Sequence, residues 1–449
     1  MAVADARPRA GAISATKPAP AGALVLGADY RALGVVRSLG RRGVPVWVIR
    51  DGDDALAARS RYARRRLDWP RSDANAQLAF LLGLAEAGAD GFALVPSGDE
   101  SAAFVARHHD ALSARYAVTV PPWATMRFAY DKRLTYPLAC GLGLDVPWTA
   151  APRDRADLAD LAAREIRYPV VLKPAFKETF NRLTAAKAWR VDDRAALLRR
   201  YDEACALVAP ETIMVQELIP GGGEAQYSYA VVCDRGKPVA ELVARRRRQY
   251  PVEFGYTSTF VETVDCPQVE EAGRRLLASL DYTGIAEVEF KHDARDDRYK
   301  LLDVNTRIWT WGGLGAAAGV DFSHTLWRLA CGEPVAPLRP TRDVAWVHAS
   351  RDIVAAGDEM LRGRLTPAAW LRSLRRPLTF AAFALDDPLP GLVELPLALW
   401  RAVTHRLPIV ACGFWRNVVR ADTARATPAP DSPYSLSRLR RRMSCGRAD

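Results

Sequence analysis

The sequence predicts an α/β protein, and three observations carry that prediction. Short apolar segments at 23–27, 44–49 and 91–95 alternate with stretches of helical period, an order typical of a parallel, doubly wound sheet. The 449 residues suffice for two or three compact domains. Their hydrophobic content of 49% is that of globular proteins. We therefore expect an N-terminal parallel sheet followed by at least one further domain.

Composition and turn signals divide the chain into five predicted regions. Pro121-Pro122 separates the first domain from the second. Residues 1–22 are rich in Ala, Pro and Gly and lack the continuous apolar core of a signal peptide. The regions are a disordered tail (1–22), an N-terminal α/β domain (23–120), a central domain (121–331), a mainly helical extension (332–420) and a basic polar tail (421–449).

Charge and cysteine content restrict the function classes. The net charge is +11, but only eight of the 63 basic residues are lysines, and this arginine bias makes the charge weak evidence for nucleic-acid binding. The basic run at 438–442 is expected to be solvated, with contact to an anionic membrane surface or nucleic acid as the alternative. Seven scattered cysteines without a Cys-x-x-Cys pair, and no apolar stretch of about 18 residues, predict a cytoplasmic protein.

Two strand-like segments around a polar turn near Asp296 carry acidic groups at alternate positions. Because strand side chains alternate between faces, Glu287 and Glu289 share one face, and Asp303 and Asn305 share a face on the return strand. A hairpin would place Glu289 opposite Asp303. Opposed carboxylates repel unless a cation lies between them, and oxygen ligands of this kind suit Mg²⁺. The alternative is a solvated hairpin with ordinary surface acids.

The strand Gly91–Val95 ends in Pro96–Glu100, at the sheet edge where ligands gather in α/β proteins. This segment is predicted either to contact substrate or to cap the next helix through Ser97 and Asp99. The N-terminal turn contains Gly27 and Gly34 but not a complete Gly-x-Gly-x-x-Gly, so the pattern is only weak support for a dinucleotide site.

The acidic hairpin resembles the metal-binding hairpin of the ATP-grasp superfamily, in which a Glu is followed by Glu-x-Asn-x-Arg. The corresponding residues are Val288-Glu289-Phe290 and Leu302-Asp303-Val304-Asn305-Thr306-Arg307. Three further segments resemble family motifs and follow in the family's order: Asp131-Lys132, Tyr168–Pro174 and Val215–Gly221. The resemblance covers residues 120 to 330 and points to the carboxylate–amine ligases of bacterial gene clusters. It implies an ATP-grasp fold with a Rossmann-like pre-ATP-grasp domain before it. The helical extension after it is predicted from the Trp and Leu pattern of residues 332–420.

The resemblance also implies residue roles and two cofactors, ATP and Mg²⁺ or Mn²⁺. The phosphates would be bound by Lys132 and Lys173, and the metal by Glu289, Asp303 and Asn305. The adenine would lie against Gln216, Glu217 and Ile219, the last two through main-chain groups, and the ribose hydroxyls against Glu224. An acyl phosphate would be stabilised by Arg307 and Arg248.

Two segments fit the resemblance less simply. Strand alternation predicts that Arg246 and Arg248 share one face of their strand and Arg245 and Arg247 the other, and a basic strand edge is the alternative reading. The loop at 175–184 lacks the glycines of the family's phosphate loop. Its side-chain donors would then be Lys177, Thr179, Asn181 or Arg182.

The function that the resemblance implies is ATP-dependent ligation of a small-molecule carboxylic acid to an amine through an acyl phosphate. Within the same fold, the alternatives are a small-molecule kinase or a carboxylase. Outside it, the alternatives are a nicotinamide-dependent oxidoreductase, resting on the N-terminal β-α-β unit, or a non-catalytic nucleotide-binding scaffold.

Overall fold

The N-terminal domain contains the predicted parallel sheet. The computed structural model describes residues 21–50, 55–70, 73–163, 166–175, 188–252, 255 and 257–401. In the spatial order β3-β2-β1-β4-β5, all neighbouring strands are parallel, which confirms the predicted α/β class. The strands are β1 (Ala23–Leu26), β2 (Val46–Arg50), β3 (Ala63–Asp68), β4 (Ala93–Pro96) and β5 (Ala117–Val118). The helices are α1 (Tyr30–Gly40), α2 (Ala74–Leu84), α3 (Asp99–Arg107) and α4 (His109–Ser113).

Local sequence explains the first β-α turn. Asp29 caps α1, because its carboxylate accepts hydrogen bonds from the backbone N–H groups of Arg31 at 2.9 Å and Ala32 at 3.2 Å. Gly27 has φ +121°, and a Cβ there would lie 2.0 Å from Ser97 Oγ. Only glycine therefore allows β1 to turn this closely past the end of β4.

The sequence prediction omitted β3. Three consecutive arginines of this edge strand, residues 64–66, are exposed, so the strand lacks the alternating apolar pattern that identifies a half-buried strand. Arg65 stacks over the ring of Trp47, with its guanidinium carbon 4.3 Å from the ring centroid. Charged residues on a sheet edge also discourage pairing with another chain.

A four-stranded sheet forms the first half of the central domain, in the order β6-β9-β7-β8 with all neighbours antiparallel. Its strands are β6 (Thr149–Ala150), β7 (Val170–Pro174), β8 (Trp189–Val191) and β9 (Ile213–Glu217). The helices of this half are α7 (Arg155–Ala163) and α8 (Arg194–Cys205), and α5 (Trp123–Tyr130) and α6 (Lys132–Gly141) precede them in the chain. Apolar side chains of α7 and α8 pack on this sheet and form a core of their own.

A seven-stranded sheet, in the order β14-β13-β10-β11-β12-β15-β16, forms the second half. Its strands are β10 (Gln226–Asp234), β11 (Lys237–Tyr250), β12 (Thr257–Val264), β13 (Gly284–Asp293), β14 (Arg298–Asn305), β15 (Ala345–Val347) and β16 (Leu378–Phe380). The helices α9 (Pro267–Ser279), α10 (Gly313–Ala318) and α11 (Phe322–Ala330) accompany it. Its last two strands come from the segment that the sequence predicted to be mainly helical.

The N-terminal sheet and the seven-stranded sheet share one apolar core. Trp309 and Trp311, which follow β14, are buried in this core, with their ring centroids 5.3 Å apart. Phe322 of α11 packs edge-on against Trp309, with a centroid distance of 5.2 Å. This packing holds the chain rigidly where it leaves the acidic hairpin.

The remaining described helices are α12 (Ala349–Leu361), α13 (Pro367–Ser373) and α14 (Leu389–Arg401). The first compact unit of the chain ends at Glu394, and of the second unit the structure describes only the end of α14. Residues 1–20 and 402–449, which contain most of the predicted tails, lie outside the described residues. So do the predicted loop donors Lys177, Thr179, Asn181 and Arg182. Among the described helices, none has the length and apolar character needed to cross a bilayer.

A buried ion pair joins α1 to the far end of the first unit. Arg37 donates from Nε to Asp387 at 2.9 Å, and its Nη2 donates to the Ala382 carbonyl at 2.7 Å. Asp387 also accepts hydrogen bonds from Ser60 Oγ at 2.7 Å and from the Arg61 backbone at 3.0 Å. Burial lowers the pKa of Arg37, and the hydrogen bond to Asp387 opposes that shift. The charge of Arg37 is therefore compensated only while residue 387 stays in place.

We expect Asp387→Ala to destabilise the protein by about 3–5 kcal/mol, because it leaves the buried Arg37 guanidinium without its carboxylate. The matched control is Asp386→Ala. Asp386 pairs with Arg41 at 2.7 Å but keeps 41% of its side chain exposed, so its removal should cost about 0–1 kcal/mol. Urea unfolding midpoints of the two variants measure the difference. Equal midpoints would show that the buried pair contributes no more stability than the exposed one.

Candidate functional site

A cleft of about 1410 Å³ lies between the four-stranded and the seven-stranded sheets. Ten buried side-chain nitrogen and oxygen atoms of the described residues have no hydrogen-bond partner, and five of them belong to residues that line this cleft. Four of the five groups can donate a hydrogen bond. They are Arg246 Nε, Arg307 Nε, Trp309 Nε1, Ser258 Oγ and Gln226 Oε1. Because buried polar groups are normally satisfied, their concentration here indicates a ligand rich in acceptor oxygens.

The predicted hairpin register is confirmed. Glu289 pairs with Asp303 and Glu287 with Asn305 across β13 and β14, and the turn falls at 294–297. Asn305 Nδ2 donates to Glu287 Oε2 at 2.9 Å and to Glu289 Oε1 at 2.8 Å. The amide thus bridges two glutamates that would otherwise repel each other.

Lys132 reaches this hairpin from α6. Asp131 caps the helix by accepting from the Arg133 backbone N–H at 2.9 Å, and the Lys132 backbone N–H donates to the Ala175 carbonyl at 3.1 Å. The Lys132 side chain is buried, and its Nζ lies 3.2 Å from Asp303 Oδ1. A cation therefore already lies beside one of the paired carboxylates.

Lys173 enters the cleft from β7. Its Nζ donates to Gln216 Oε1 at 2.6 Å and to Tyr136 Oη at 3.5 Å. Gln216 Nε2 in turn donates to Tyr136 Oη at 3.0 Å and to Thr149 Oγ1 at 2.8 Å. Burial raises the pKa of Tyr136. Sequence reasoning missed this tyrosine, although its position four residues after Lys132 puts both on one helix face.

The linker after β9 is fixed by a lysine that sequence reasoning also missed. Lys291 Nζ donates to the carbonyls of Ile219 at 2.8 Å and Gly221 at 2.7 Å. Burial lowers the pKa of Lys291 to about 8. Gly221 has φ +92°, which makes the turn, and Glu224 Oε1 accepts from the Gly222 backbone N–H at 2.9 Å. The signal for Lys291 was its spacing of two from Glu289, which places both on one strand face.

The carboxylate of Glu217 is held by other protein groups. It accepts from the Trp148 backbone N–H at 3.0 Å, from Arg295 Nη2 at 2.8 Å and from Lys300 Nζ at 3.2 Å. This side chain therefore ties β9 to the hairpin turn. The predicted contact between Glu217 and the nucleotide involves the backbone of that residue, not its side chain, and it stays a prediction.

Arg307 is oriented by the N-terminal domain. Its Nη2 donates to Asp99 Oδ2 at 2.8 Å, and its Nη1 to the Ile308 carbonyl at 3.3 Å. Burial favours a lower pKa for Arg307, but the carboxylates of Asp99, Glu287 and Glu289 outweigh burial and raise the pKa. Burial together with repulsion from Glu289 raises the pKa of Glu287 to about 7.

The capping alternative for the segment after β4 is wrong. Gly98 occupies the N-cap position of α3, and its backbone N–H donates to Ser101 Oγ at 3.2 Å. Ser97 Oγ instead donates to the Leu26 carbonyl at 2.9 Å. Asp99 lines the cleft, as the substrate-contact alternative requires. Actual contact between Asp99 and a substrate stays a prediction.

The predicted facing of the arginine segment is wrong. Arg246 pairs with Val261 and Arg248 with Phe260, so Arg247 is the extra residue of a β-bulge. Since neighbouring positions of β12 point to opposite faces, Arg246 and Arg248 do so as well. The strand-edge alternative is wrong for Arg245, which pairs with both β10 and β12, but it holds beyond that residue, where the pairing partners of Arg246 and Arg248 among the described residues are on β12 alone. Arg246 turns toward the hairpin, with its Nη2 3.8 Å from Glu289 Oε2.

Arg248 is bound to the C-terminal part of the described chain. Its Nε and Nη2 each lie 2.8 Å from an oxygen of the buried Asp352. That carboxylate also accepts from Thr259 Oγ1 at 2.8 Å and Trp370 Nε1 at 3.1 Å, and Arg248 Nη1 donates to Ser373 Oγ at 3.1 Å. The guanidinium thus anchors α12 and α13 to β11. A catalytic role for Arg248 stays a prediction, because the guanidinium that would contact the acyl phosphate is bound to Asp352.

The oxygen ligands available fit magnesium bound together with nucleotide. In the described ranges, no three or more His, Cys, Asp and Glu side chains form a cluster able to hold a metal. The hairpin offers the carboxylates of Glu289 and Asp303 and the amide oxygen of Asn305. Mg²⁺ characteristically uses one or two carboxylates and completes its shell with water and phosphate oxygens. The residues therefore suit Mg²⁺, or Mn²⁺, only when phosphates are present as well.

Comparison with known proteins agrees with this geometry. Residues 143–338 match the family model described as carbamoyl-phosphate synthase L chain, ATP binding domain. Among solved structures, N5-carboxyaminoimidazole synthetase from Staphylococcus aureus is similar, with a TM-score of 0.59 and 13% identity over 77% of this chain and 87% of that one. The biotin carboxylase domain of 2-oxoglutarate carboxylase from Hydrogenobacter thermophilus was solved with MgADP and bicarbonate. Its TM-score is 0.57, with 16% identity over 71% of this chain and 73% of that one. The L-amino acid ligase from Bacillus licheniformis has a TM-score of 0.52 and 18% identity over 73% of this chain and 79% of that one.

These findings define the class of protein. Residues 143–338 match an ATP-grasp family model, and the chain shares its fold with enzymes of that superfamily. No curated protein matches the sequence. At these low identities, the structural likeness establishes the fold, and the neighbours include both carboxylases and ligases.

We expect Mg-ADP and Mg-ATP to raise the melting temperature, and NADH to leave it unchanged. A ligand at one hundred times its Kd adds about 2.7 kcal/mol of stability to the folded state. Lys173→Met should reduce the nucleotide-induced shift, because it removes an ammonium from the cleft. Lys237→Met is the matched control, since Lys237 is exposed at the start of β11 and should keep the full shift. Stabilisation by NADH alone would exclude an ATP site.

Proposed function

We propose that this protein is an ATP- and Mg²⁺-dependent ligase that joins a small-molecule carboxylic acid to an amine. The observation that carries the proposal is the pairing of Glu289 with Asp303 in a cleft that also receives Lys132 and Lys173. Paired carboxylates there call for a cation, and the two ammonium groups offset phosphate charge. Phosphoryl transfer needs both.

The nucleotide would lie between the two sheets. Lys132 and Lys173 would contact its phosphates, and the linker from Gln216 to Ile219 would receive the adenine. Glu224, beside the linker glycines, would accept hydrogen bonds from the ribose hydroxyls. Glu289, Asp303 and Asn305 would hold Mg²⁺, which when bound neutralises phosphate charge and orients the transferred group.

The proposed reaction has two steps. A carboxylate oxygen of the acid attacks the γ-phosphorus of ATP, the bond to the β-phosphate oxygen breaks, and ADP leaves. The amine nitrogen then attacks the acyl carbon, inorganic phosphate leaves with the electron pair of the broken C–O bond, and the nitrogen loses a proton to give the amide. Both steps gather negative charge on oxygens that the cleft must stabilise.

Arg307 is the residue best oriented to stabilise that charge. Asp99 fixes its guanidinium at 2.8 Å, while its Nε is left without a partner among the described residues. Arg246 stands beside Glu289 and is the second candidate. Arg248, which the sequence nominated for the same role, would have to leave Asp352 to take part.

A carboxylase is the second candidate function. One of the similar structures is the biotin carboxylase domain that was solved with bicarbonate. A carboxylase would also release ADP, but only when bicarbonate is supplied. ADP release with and without bicarbonate therefore separates the two reactions.

We expect Asp303→Asn and Asn305→Ala to lower the rate of ADP release at least about 100-fold, because groups that orient a metal or a transition state are worth that much. Asp297→Asn is the control, since Asp297 lies in the turn of the same hairpin with 93% of its side chain exposed. ADP release is measured with Mg-ATP and pools of acids and amines, and melting temperatures verify folding. A normal rate in either variant would refute the metal assignment.

We also expect hydroxylamine to trap an acyl phosphate. With a productive acid, hydroxamate and ADP should form in equal amounts. Arg307→Lys and Arg246→Lys should lower kcat more than they raise the KM for ATP, because these groups act on charge that develops during transfer.

Other products would point to other reactions. Formation of AMP and pyrophosphate would exclude an acyl phosphate. A stable phosphorylated alcohol would indicate a kinase, and ADP release that depends on bicarbonate without hydroxamate would indicate a carboxylase.

A further inference from the structure

One end of the cleft is built by the segment from α12 to α13. Its lining residues there are Glu359, Arg364, Leu365, Ala369 and Ser373. The buried bonds of Arg248 to Asp352 and Ser373, described above, hold this segment against β11. The wall of the cleft at this end therefore comes from outside the two ATP-clasping sheets.

This end of the cleft is rich in arginine. Arg246 and Arg247 of β11 and Arg364 of the α12–α13 loop line it, whereas Glu359 is the acidic group that the α12–α13 segment adds there among the described residues. Arg246 is paired with Glu289 at 3.8 Å. Arg247 lies 3.6 Å from Glu262, but that carboxylate is also engaged by Arg376 at 2.7 Å. Arg247 and Arg376 thus share one carboxylate, which leaves positive charge uncompensated at this end.

Unsatisfied donors lie at the same end. The Arg246 side chain is only 10% exposed, and its Nε has no hydrogen-bond partner in the part of the chain that the structure describes. Ser258 of β12 pairs with Gln249 of β11, and its Oγ is likewise buried without a hydrogen-bond partner among the described residues. Burying such donors is costly unless a ligand accepts from them. Lys173, by contrast, enters the cleft from β7 of the four-stranded sheet.

We infer that this arginine-lined end receives the acid substrate, and that the acid carries a second anionic group besides the carboxylate that is activated. The inference rests on the proposed ligase function. A second carboxylate and a phosphonate have the same chemistry here, because a guanidinium can form a bidentate hydrogen bond with the oxygens of either group. Arg364 and Arg247 would bind the distal group, while Arg246 and Arg307 face the carboxylate that reacts.

The test compares matched acids, with hydroxylamine as the nucleophile so that acid recognition alone is measured. Succinate, glutarate and 3-phosphonopropionate are each compared with a neutral-ended analogue: succinamate, glutaramate and butyrate. Hydroxamate and ADP are quantified at saturating Mg-ATP. We expect kcat/KM for at least one dianionic acid to exceed that of its partner about tenfold or more, as a charge-assisted hydrogen-bond pair provides.

Variants locate the preference. Arg364→Gln should abolish most of the preference by raising KM for the dianionic acid about tenfold, leaving kcat and the KM for ATP unchanged. Arg372→Gln is the matched control, because Arg372 is exposed on α13 and does not line the cleft. It should behave as the wild type does.

Each outcome decides something distinct. Equal kcat/KM values within every pair, with hydroxamate formed, would overturn the inference and leave the ligase function standing. A preference for dianions that Arg364→Gln and Arg247→Gln both retain would also overturn it. Absence of ADP and hydroxamate with every acid would refute the proposed function, and the inference with it.

Discussion

Glu289 and Asp303 face each other across two paired strands, and like charges so placed repel unless positive groups surround them. The structure supplies two positive groups and one neutral hydrogen-bond donor. Lys132 comes from α6, Arg246 from β11, and Asn305 offers its amide hydrogens from the same hairpin. Each donor depends on a different element being correctly packed. The electrostatic requirement of one strand pair thus dictates how helices and sheets converge on the cleft.

The two flanking regions act on the cleft in the same way. The N-terminal domain contributes Asp99, which orients Arg307, and the C-terminal segment contributes Asp352, which orients Arg248. A carboxylate from a distant region fixes a guanidinium that would otherwise sample several rotamers. The regions before and after the ATP-grasp domain are therefore structural parts of the site.

The sequence pattern predicted those features of the site that depend on residues close together in the chain. The pairing of Glu289 with Asp303 was predictable, because side-chain alternation and a short turn fix hairpin register. The strand at 63–68 was not, since exposed arginines hide its period. The bulge at Arg247 was not, because one inserted residue leaves no mark on composition. Arg248 and Asp352 are 104 residues apart, so nothing in either neighbourhood signals their pairing. Tyr136 and Lys291 were recognisable from their spacing to Lys132 and Glu289.

The ion pair between Arg37 and Asp387 spans 350 residues, and this separation bears on the order in which the protein is made. The first helix leaves the ribosome long before the carboxylate that its arginine requires. Until residue 387 emerges, that guanidinium must stay hydrated, which keeps the helix from its final packing. The N-terminal domain, although first in the chain, therefore lacks this buried ion pair until translation of the compact unit is nearly complete.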